Sequence, residues 1–478
     1  MTMNKKTLVW FRQDLRLADN PALHYACSQG EVLPVYIVDT VNMPRPLGGA
    51  SSWWLHHALT ELNNSLDGKL QVYSGEPADI IKQLFEQYQI SEVIWNRCYQ
   101  PWQIARDKKL KSTLAEISIT AKSFNGSLLW EPWTVLKKDG TPYKVFTPYY
   151  RKGCLSKEAP RFPLPKPENI NLLADAPQSG DSINELCLLP DIAWDTQIAA
   201  EWKPGESGAS DNLSQFLSSA VNEYKEQRNL PNIKGTSRLS PYLRFGEISV
   251  NQIWYAILQN APTSQEDPDI DCYLSELGWR EFSYYLLYHF PTLPKDNFNP
   301  KFDHFNWQQN DNFLTAWTKG QTGYPIVDAG MRELWQTGYM HNRVRMIVGS
   351  FLVKNLRLHW HHGEAWFWDC LLDADLASNS ASWQWVAGTG ADAAPYFRIF
   401  NPVTQGQKFD SEGDYVRRYC PELRRLPKKF IHNPWDAPKD ILDYAQVKLG
   451  QNYPTPIVDL KATRESALAA FSALKELG

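Results

Sequence analysis

Hydrophobic and polar positions in the first 130 residues alternate between two periods. Short apolar runs with the length and composition of buried strands occur at residues 7–11, 32–38, 70–73, 92–95 and 119–124. Between these runs, apolar residues recur at helical spacing in residues 53–66, 77–88 and 103–114. Strands that alternate with helices predict a parallel sheet whose crossover connections are right-handed.

The pattern changes twice along the remainder of the chain. Residues 131–208 are rich in proline and polar residues, which predicts a long connector. Helical periodicity then dominates, at residues 213–227, 250–258, 271–288, 312–319, 326–337, 342–356 and 463–477. We therefore predict an α/β N-terminal domain with a Rossmann-like parallel sheet (1–130), joined by the connector (131–208) to an all-helical domain (209–478).

The turn after the first strand bears on ligand type. A dinucleotide-binding sheet carries G-x-G-x-x-G at this turn. This chain instead has Arg12-Gln13-Asp14-Leu15-Arg16, so we expect no dinucleotide cradle there. The carboxyl ends of the strands remain a place for another small molecule.

Composition adds one unusual feature, the 20 tryptophans, which raise the aromatic share to 13%. Most tryptophans are packing residues, and the remainder are candidates for stacking or electron transfer. The net charge of −4 gives no overall signal for nucleic acid, so such binding needs a local basic patch. Residues 331–358 and 414–430 each carry a net charge of +4, although a solvated basic face is the alternative explanation.

Cysteine usage favours a reducing compartment, because the seven cysteines are scattered without a C-x-x-C pair. No apolar run reaches the roughly 18 residues that span a membrane. The histidines at 359–362 lack acidic or thiol partners in the sequence, so we predict a surface cluster and no metal site. We expect a cytoplasmic protein without membrane contact.

The richest stretch for chemistry is residues 373–402, DADLASNSASWQWVAGTGADAAPYFRIFNP. It combines two carboxylates, an amide and two tryptophans separated by one residue. Acids and amides hydrogen-bond heterocycles, while indoles stack on them or pass electrons. We interpret this stretch as the floor of a cofactor and substrate site.

The predicted helix 342–356 has two distinct faces. Core positions at helical spacing are Val344, Ile347, Val348 and Phe351. The opposite face carries Asn342, Met346 and Gly349. An amide, a polarizable thioether and a position without a side chain suit the close approach of a planar ligand, although packing explains them as well.

The predicted helix 271–288 places an indole beside charged groups, because Tyr273, Glu276, Trp279 and Arg280 share one stripe. Such a surface can hold an unstacked base. A Glu276–Arg280 surface pair is the simpler alternative. The loop 235–240, Gly-Thr-Ser-Arg-Leu-Ser, offers hydroxyls and a cation that suit phosphate oxygens, or it is an ordinary helix start.

Together with FRQDLR at 11–16, WREF at 279–282, TGYPIVDA at 322–329 and MHNRVRM at 340–346, these motifs are specific. Almost the whole chain resembles the DNA photolyase and cryptochrome family, most closely the microbial photolyases of cyclobutane pyrimidine dimers. The resemblance implies a monomer that binds FAD in its helical domain and UV-damaged DNA, single or double stranded, as substrate. It also implies an α/β domain that can hold an antenna chromophore.

The resemblance implies three sets of site residues. The FAD contacts are Tyr224, Thr236, Ser237, Arg238, Leu239, Ser240, Tyr273, Arg280, Asn342, Arg345, Asp373, Asp375 and Asn379. The DNA and dimer contacts are Arg228, Glu276, Trp279, Asn342, Arg343, Met346, Trp385, Arg398 and Gln405. The residues expected to act in catalysis and electron transfer are Glu276, Asn379, Trp307, Trp360 and Trp383.

Within these sets, Asn379 is expected beside flavin N5, where an amide can stabilise the reduced ring. Arg345 is expected to pair with Asp373, and the three tryptophans to pass electrons between surface and flavin. Tyr273 stands where many family members have tryptophan.

The implied activity is light-driven repair. Excited reduced FAD passes an electron to a flipped-out dimer, the cyclobutane bonds split, and the electron returns. Repair of (6-4) photoproducts is an alternative, but those relatives carry two histidines where this chain has Asn342 and Met346. A cryptochrome-type photoreceptor is the other alternative; many such proteins have a long tail, and here the chain is expected to end soon after residue 459.

The sequence does not identify the antenna chromophore. Residues 48–54 and 97–102 resemble family segments near the antenna pocket. We favour methenyltetrahydrofolate, with a deazaflavin or an empty site as the alternatives.

Overall fold

The computed structural model describes residues 5–174, 182–260 and 267–476. Residues 175–181 of the predicted connector and the predicted helix end at Leu477 lie outside the described residues.

Five strands form one parallel sheet in the order β3-β2-β1-β4-β5. The strands are β1 (Lys5–Phe11), β2 (Gly30–Asp39), β3 (Gln71–Gly75), β4 (Glu92–Asn96) and β5 (Thr120–Phe124). The central strand β1 is buried from Thr7 to Phe11, which explains its unbroken apolar run. The predicted parallel sheet is therefore confirmed.

Helices make up most of the remaining regular structure. The first helices are α1 (Pro21–Gln29), α2 (Gly49–Ser65), α3 (Pro77–Tyr88), α4 (Pro101–Glu116), α5 (Thr196–Glu201), α6 (Glu206–Ser219), α7 (Tyr224–Gln227), α8 (Ser240–Phe245), α9 (Val250–Asn260) and α10 (Pro268–His289). The others are α11 (Asp311–Thr318), α12 (Pro325–Thr337), α13 (Asn342–Ser350), α14 (Trp360–Cys370), α15 (Leu376–Ala387), α16 (Pro402–Phe409), α17 (Asp414–Tyr419), α18 (Lys439–Ala445) and α19 (Leu460–Glu476).

The chain divides into two compact units. The first comprises Met1–Ser219 and Ser237–Pro291, and the second comprises Ala220–Thr236 and Thr292–Gly478. The first unit thus contains the sheet and helices α8 to α10, while the second is helical. The domain boundaries at residues 130 and 208 stay a prediction.

One predicted helix, 342–356, is in fact two different helices. α13 ends at Ser350, and a π-helix, Phe351–Asn355, continues from it. Lys354 and Asn355 are both buried in this wider turn. The predicted core face itself is confirmed, since Val344, Ile347, Val348 and Phe351 are all buried.

The predicted helix 213–227 was also wrong as a single element. α6 ends at Ser219, and a short 3₁₀ turn, Val221–Glu223, separates it from α7.

Candidate functional site

Helix α15 carries the predicted flavin and electron-transfer residues at one-turn intervals. The Asp375 carboxylate caps the helix by accepting the Ser378 N–H at 2.8 Å. Asn379 and Trp383 follow at spacings of four, so these side chains share one side of the helix. All three side chains are buried, and helix α15 is itself buried on nearly every side.

Arg345 and Asp373 pair as the sequence predicts. The guanidinium donates two hydrogen bonds to the carboxylate, at 3.1 and 2.8 Å, and a third to the Met340 carbonyl at 2.7 Å. Burial alone would lower the pKa of Arg345, but the Asp373 charge reverses this and raises it. The bidentate pair fixes the Asp373 carboxylate immediately before α15.

Glu364 is a site residue that sequence reasoning missed. The Asn379 Nδ2 donates to both the carbonyl and the Oε1 of Glu364, each at 3.0 Å. Glu364 is itself buried on α14. Because these bonds occupy the NH₂ group, Oδ1 is the atom that this amide can offer to a ligand.

His341 is the N-cap of α13, where its Nδ1 accepts the Arg343 N–H at 3.2 Å. The ring proton therefore belongs on Nε2. Burial, together with the nearby charges of Arg345 and Arg343, lowers the pKa of His341 to about 3, so the ring is neutral at pH 7.

The second unit fits a polar heterocyclic ligand such as FAD. Within the described residues, His341 Nε2, Arg343 Nε and Ser380 Oγ are buried without a hydrogen-bond partner. Buried donors seldom lack partners, and a bound polar ligand is one way to supply them. With Asp373 and Asn379 they form a donor and acceptor set that suits FAD.

The N-terminal half of α13 carries the predicted dimer and DNA residues. Arg343 donates to Asn229 Oδ1 at 2.6 Å and lies 3.6 Å from the Met346 sulfur. Burial and the nearby charge of Arg228 lower the pKa of Arg343. Two cations held this close together favour an anionic ligand.

Two further predicted residues belong to the same unit. Tyr224 is buried on α7, and the Arg228 guanidinium lies 5.4 Å from its ring centre. Gln405 is half-buried on α16.

The three predicted electron-transfer tryptophans run from the interior outward. Trp383 and Trp360 are buried, whereas Trp307 is half-buried. The His359 ring bridges the outer two, with centroids 5.1 Å from Trp307 and 5.6 Å from Trp360. Burial lowers the pKa of His359 to about 4, with help from neighbouring histidines, so no positive charge is expected between the rings at pH 7.

Gly363 sets the position of Trp383. A methyl group at Gly363 would overlap the Trp383 ring, so α14 and α15 approach closely only because this residue has no side chain. Trp360 lies one turn earlier on α14 and donates to Asn297 Oδ1 at 2.9 Å.

Gln384 separates Trp383 from Trp385 and locks α15 in place. Its fully buried amide donates to the carbonyls of Leu293 and Asp296, at 2.7 and 2.9 Å. Its oxygen accepts the Phe298 N–H and the Thr389 hydroxyl. This anchoring leaves Trp385 half-buried on a different side of the helix from Trp383.

Arg398 lies in the segment after α15, which is tied to the π-helix. The buried Lys354 Nζ donates to the Arg398 carbonyl at 2.9 Å, and Ser350 Oγ accepts the Phe400 N–H at 3.4 Å. The backbone at Arg398 and just after it is therefore fixed.

In the first unit, Tyr273 and Ser237 are brought together by a 3.0 Å hydrogen bond between their hydroxyls. Leu239 is buried, and Ser240 begins α8. Arg238 pairs with Glu201 at 2.6 Å. Thr236 belongs to the second unit and is half-buried.

The stripe on α10 is present, with Glu276 and Trp279 both half-buried. Phe146 covers one face of Trp279 at a centroid distance of 3.8 Å. Arg280 donates to the Ser127 carbonyl at 2.9 Å and pairs with Glu281 at 3.1 Å. These contacts indicate a packing role for Arg280, and its cofactor role stays a prediction.

The turn after β1 is filled by ion pairs. Arg12 and Arg106 both bind Asp107, at 2.6 and 2.8 Å, and Arg106 also binds Asp39 at 3.1 Å. Both guanidiniums lie within 5 Å of the Trp10 ring centre, at 4.8 and 4.6 Å. Another small molecule at this turn would have to displace buried charges.

Residues 48–54, one of the predicted antenna segments, contain two buried tryptophans. Trp53 and Trp54 donate to Asp195 and Glu247 respectively, both at 2.9 Å. These bonds indicate packing roles for both indoles.

In the ranges that the structure describes, no group of three or more His, Cys, Asp or Glu residues could hold a metal ion. His361 and His362 are exposed. No helix among the described residues has the length and apolar character needed to cross a bilayer.

Comparison with known proteins matches both halves of the chain. The family model described as DNA photolyase matches residues 7–168, and the FAD binding domain of DNA photolyase matches residues 273–473. The deoxyribodipyrimidine photo-lyase of Agrobacterium fabrum is 48% identical over 98% of both chains. That of Escherichia coli is 38% identical over 98% of this chain and 99% of the relative.

Cryptochromes match as well. Cryptochrome-2 of Arabidopsis thaliana is 38% identical over 100% of this chain and 80% of the relative. Among solved structures, a class III photolyase from Agrobacterium tumefaciens has a TM-score of 0.95 at 47% identity, covering 100% of this chain and 99% of that one. A Synechocystis cryptochrome has a TM-score of 0.88 at 30% identity, covering 98% and 100% respectively.

These matches confirm the resemblance seen in the motifs and the predicted fold class, an α/β domain followed by a helical FAD-binding domain. The predicted enzyme class, deoxyribodipyrimidine photo-lyase, is also that of several relatives. With both halves matched and relatives aligned almost from end to end, the chain belongs to the DNA photolyase and cryptochrome family.

Proposed function

We propose that this protein repairs cyclobutane pyrimidine dimers in UV-damaged DNA, driven by blue or near-UV light. The observation that carries the proposal is the buried row on α15, Asp375, Asn379 and Trp383, which offers groups for a heterocycle and for electron transfer on one side of one helix. FAD, when bound, supplies the light absorption and the electron for this chemistry.

The residues that would hold FAD follow the sequence prediction. Asp373, Asp375 and Asn379 are the contacts to the ring, and Arg345 orients the Asp373 carboxylate. The remaining proposed contacts are Tyr224, Thr236, Ser237, Arg238, Leu239, Ser240, Tyr273 and Asn342. Arg280 is retained only as an indirect support of α10.

Asn379 is proposed to present Oδ1 as a hydrogen-bond acceptor. Its Nδ2 is held by Glu364, so the amide cannot turn over without breaking two hydrogen bonds. An acceptor fixed in this way favours a ligand atom that carries a proton. Glu364 thus acts as a positioning residue.

Trp383, Trp360 and Trp307 are proposed to carry electrons inward from solvent. Of the three indoles, only that of Trp307 is partly exposed, which supports this role because an electron donor in solution can reach only the outermost indole. Electron transfer through the chain would keep the cofactor in its active reduced form.

The dimer is proposed to contact Glu276, Trp279, Asn342, Met346 and Trp385. Glu276 hydrogen-bonds the damaged bases, and the indoles provide apolar surfaces for them. A crosslinked dimer stacks and pairs poorly, so flipping it out of the duplex costs less than flipping a normal base.

Arg228, Arg343, Arg398 and Gln405 are proposed to contact the DNA around the lesion. Arginine contacts with phosphates position a duplex without reading its sequence. The fixed backbone around Arg398 supports such a positioning role.

An antenna chromophore in the first unit is a further part of the proposal. We favour methenyltetrahydrofolate over a deazaflavin, and the buried ion pairs after β1 argue against any small molecule at that turn. An absorption spectrum before and after release of the bound chromophores identifies which of them is present. We further propose a cytoplasmic location, which the seven free cysteines support, and a monomeric protein.

The test is illumination of purified protein with DNA that carries cyclobutane dimers, under reducing conditions. We expect light-dependent loss of dimers and no loss in the dark. The same assay on DNA that carries (6-4) photoproducts tests the other repair activity, which Asn342 and Met346 disfavour. Damage-independent DNA binding, together with light-dependent binding of a protein partner, would show a photoreceptor.

A further inference from the structure

One strongly charged stretch has no part in the proposed function. Residues 414–430, here called the basic segment, begin with α17 and contain six cations and two carboxylates. The exposed cations are Arg418, Arg424, Arg425, Lys428 and Lys429.

The carboxylates in and beside the basic segment already have cationic partners. These pairs are Glu422 with Arg332 at 2.7 Å, Asp414 with Arg417 at 3.6 Å, and Glu412 with Lys428 at 2.9 Å. Four cations make no ion pair within the described ranges: Arg418, Arg424, Arg425 and Lys429. Their positive charge is therefore available to an external anion.

The backbone that carries these cations is held in place by Arg417. Its guanidinium donates to the carbonyls of Arg424 at 3.2 Å and Leu426 at 3.0 Å, and also to that of Glu412. A prefolded backbone loses little conformational entropy when a ligand binds, so the exposed charges are suited to binding.

The basic segment is fixed to α13, the helix that carries Arg343. The buried Glu333 carboxylate accepts the Tyr415 hydroxyl at 2.6 Å and the His341 N–H at 3.2 Å. Tyr415 lies on α17, and His341 caps α13. One carboxylate thus joins the two helices at their N-terminal turns.

A second connection fixes the basic segment to α16, the helix that carries Gln405. Asp410 directly follows α16, and its carboxylate accepts the N–H groups of Tyr415 at 2.9 Å and Val416 at 3.1 Å. Just beyond the segment, the His432 ring bonds the Asp410 carbonyl at 2.7 Å.

We propose that the basic segment is a second DNA-binding surface, which contacts backbone phosphates of the duplex beside the lesion. This inference rests on the proposed function, in which Arg343 and Gln405 contact the DNA. Because the Glu333 and Asp410 carboxylates link both helices to the segment, DNA seated on these helices lies next to the exposed cations. The chemistry is a charge contact with phosphates, so it carries no sequence or damage preference.

The test is the salt dependence of binding to a dimer-containing duplex, measured in the dark for the holoprotein and the triple variant Arg424→Gln/Arg425→Gln/Lys429→Gln. Each lost phosphate contact reduces the slope of log K against log salt by about 0.9. We expect the slope of the triple variant to be smaller than that of the wild type by about 2.7. An increase from ~50 to ~200 mM salt should then weaken binding by the variant about 40-fold less than binding by the wild type.

The matched control is Lys82→Gln/Lys108→Gln/Lys109→Gln, which removes the same charge from exposed positions on α3 and α4. We expect the control to keep the wild-type slope. The basic-segment variant should also lose affinity for damaged and undamaged duplexes by the same factor, while its rate of light-driven repair at saturating DNA stays unchanged.

A wild-type slope in the basic-segment variant, or an equal change in the control, would overturn the proposal. Loss of dimer discrimination in the variant would also overturn the proposal, because that result would place the segment in the lesion pocket. If the wild-type protein repairs dimers and the slopes do not differ, only this inference fails. If it repairs none, the proposed function itself fails.

Discussion

At the scale of single residues, the structure gives neighbouring side chains different surroundings. Trp383 is buried against Gly363, whereas Trp385 is half-buried, and the Gln384 amide between them is fully hydrogen-bonded. The two tryptophans are therefore expected to have separate roles despite being only two residues apart.

Trp383→Phe should slow photoreduction of the bound flavin at least tenfold while leaving dark binding of dimer-containing DNA unchanged. A phenyl ring keeps most of the packing but is far harder to oxidise than an indole. Trp385→Ala should do the reverse, weakening dimer binding while photoreduction persists. Transient absorption and a binding titration on both variants measure this, and equal effects of the two substitutions on either readout would contradict the division.

Glu364→Leu should release the Asn379 amide, because Leu offers no acceptor to Nδ2. We expect the reduced flavin to reoxidise faster, and the free energy of unfolding to fall by about 1–3 kcal/mol from the lost buried hydrogen bond. Glu364→Gln keeps an oxygen at this position and should restore the reoxidation rate. If both variants reoxidise alike, Glu364 does not position Asn379.

At the scale of elements, periodicity predicted best where one face of a segment is buried and the other exposed. The predicted helix 77–88 matches α3 at both ends, whereas β1 was found within two residues through its unbroken apolar run. Helix α15 was not predicted because it is buried on nearly every side, so its apolar residues show no stripe. The turn at 351–355 was missed because a π-helix departs from the 3.6-residue period on which the prediction relied.

The π-helix has a measurable consequence through Lys354. Burial, with a smaller contribution from the charge of Arg398, lowers the pKa of Lys354 to about 8. Between pH ~8 and ~10.5 the unfolded chain holds this proton more tightly than the folded one, so the free energy of unfolding should rise with pH in this window, by about 1–3 kcal/mol.

Lys354→Met should remove that rise, because it removes the buried titrating group. Denaturant unfolding at several pH values measures the difference between wild type and variant. The exposed Lys461→Met on α19 serves as control and should keep the wild-type pH dependence. If the free energy of unfolding of Lys354→Met still rises with pH, the rise belongs to other titrating groups.

At the scale of the whole molecule, the sequence predicted the α/β and helical fold classes and most of the proposed site residues through motifs. The sequence did not reveal residues whose importance depends on tertiary neighbours. Glu364 lies in a stretch of tryptophans and histidines with no motif of its own, and it becomes relevant only because α14 packs against α15. The bonds of Arg280 to Ser127 and Glu281 could not be predicted from its motif either, and its cofactor role stays a prediction.

The most direct test of the central claim is the action spectrum of dimer loss, measured with the reduced holoprotein and a duplex containing one cyclobutane dimer. The account predicts that the yield at each wavelength follows the absorption of the bound FAD and of any bound antenna, with no loss in the dark. Dimer loss at wavelengths where these chromophores do not absorb, or no loss at any wavelength, would contradict it.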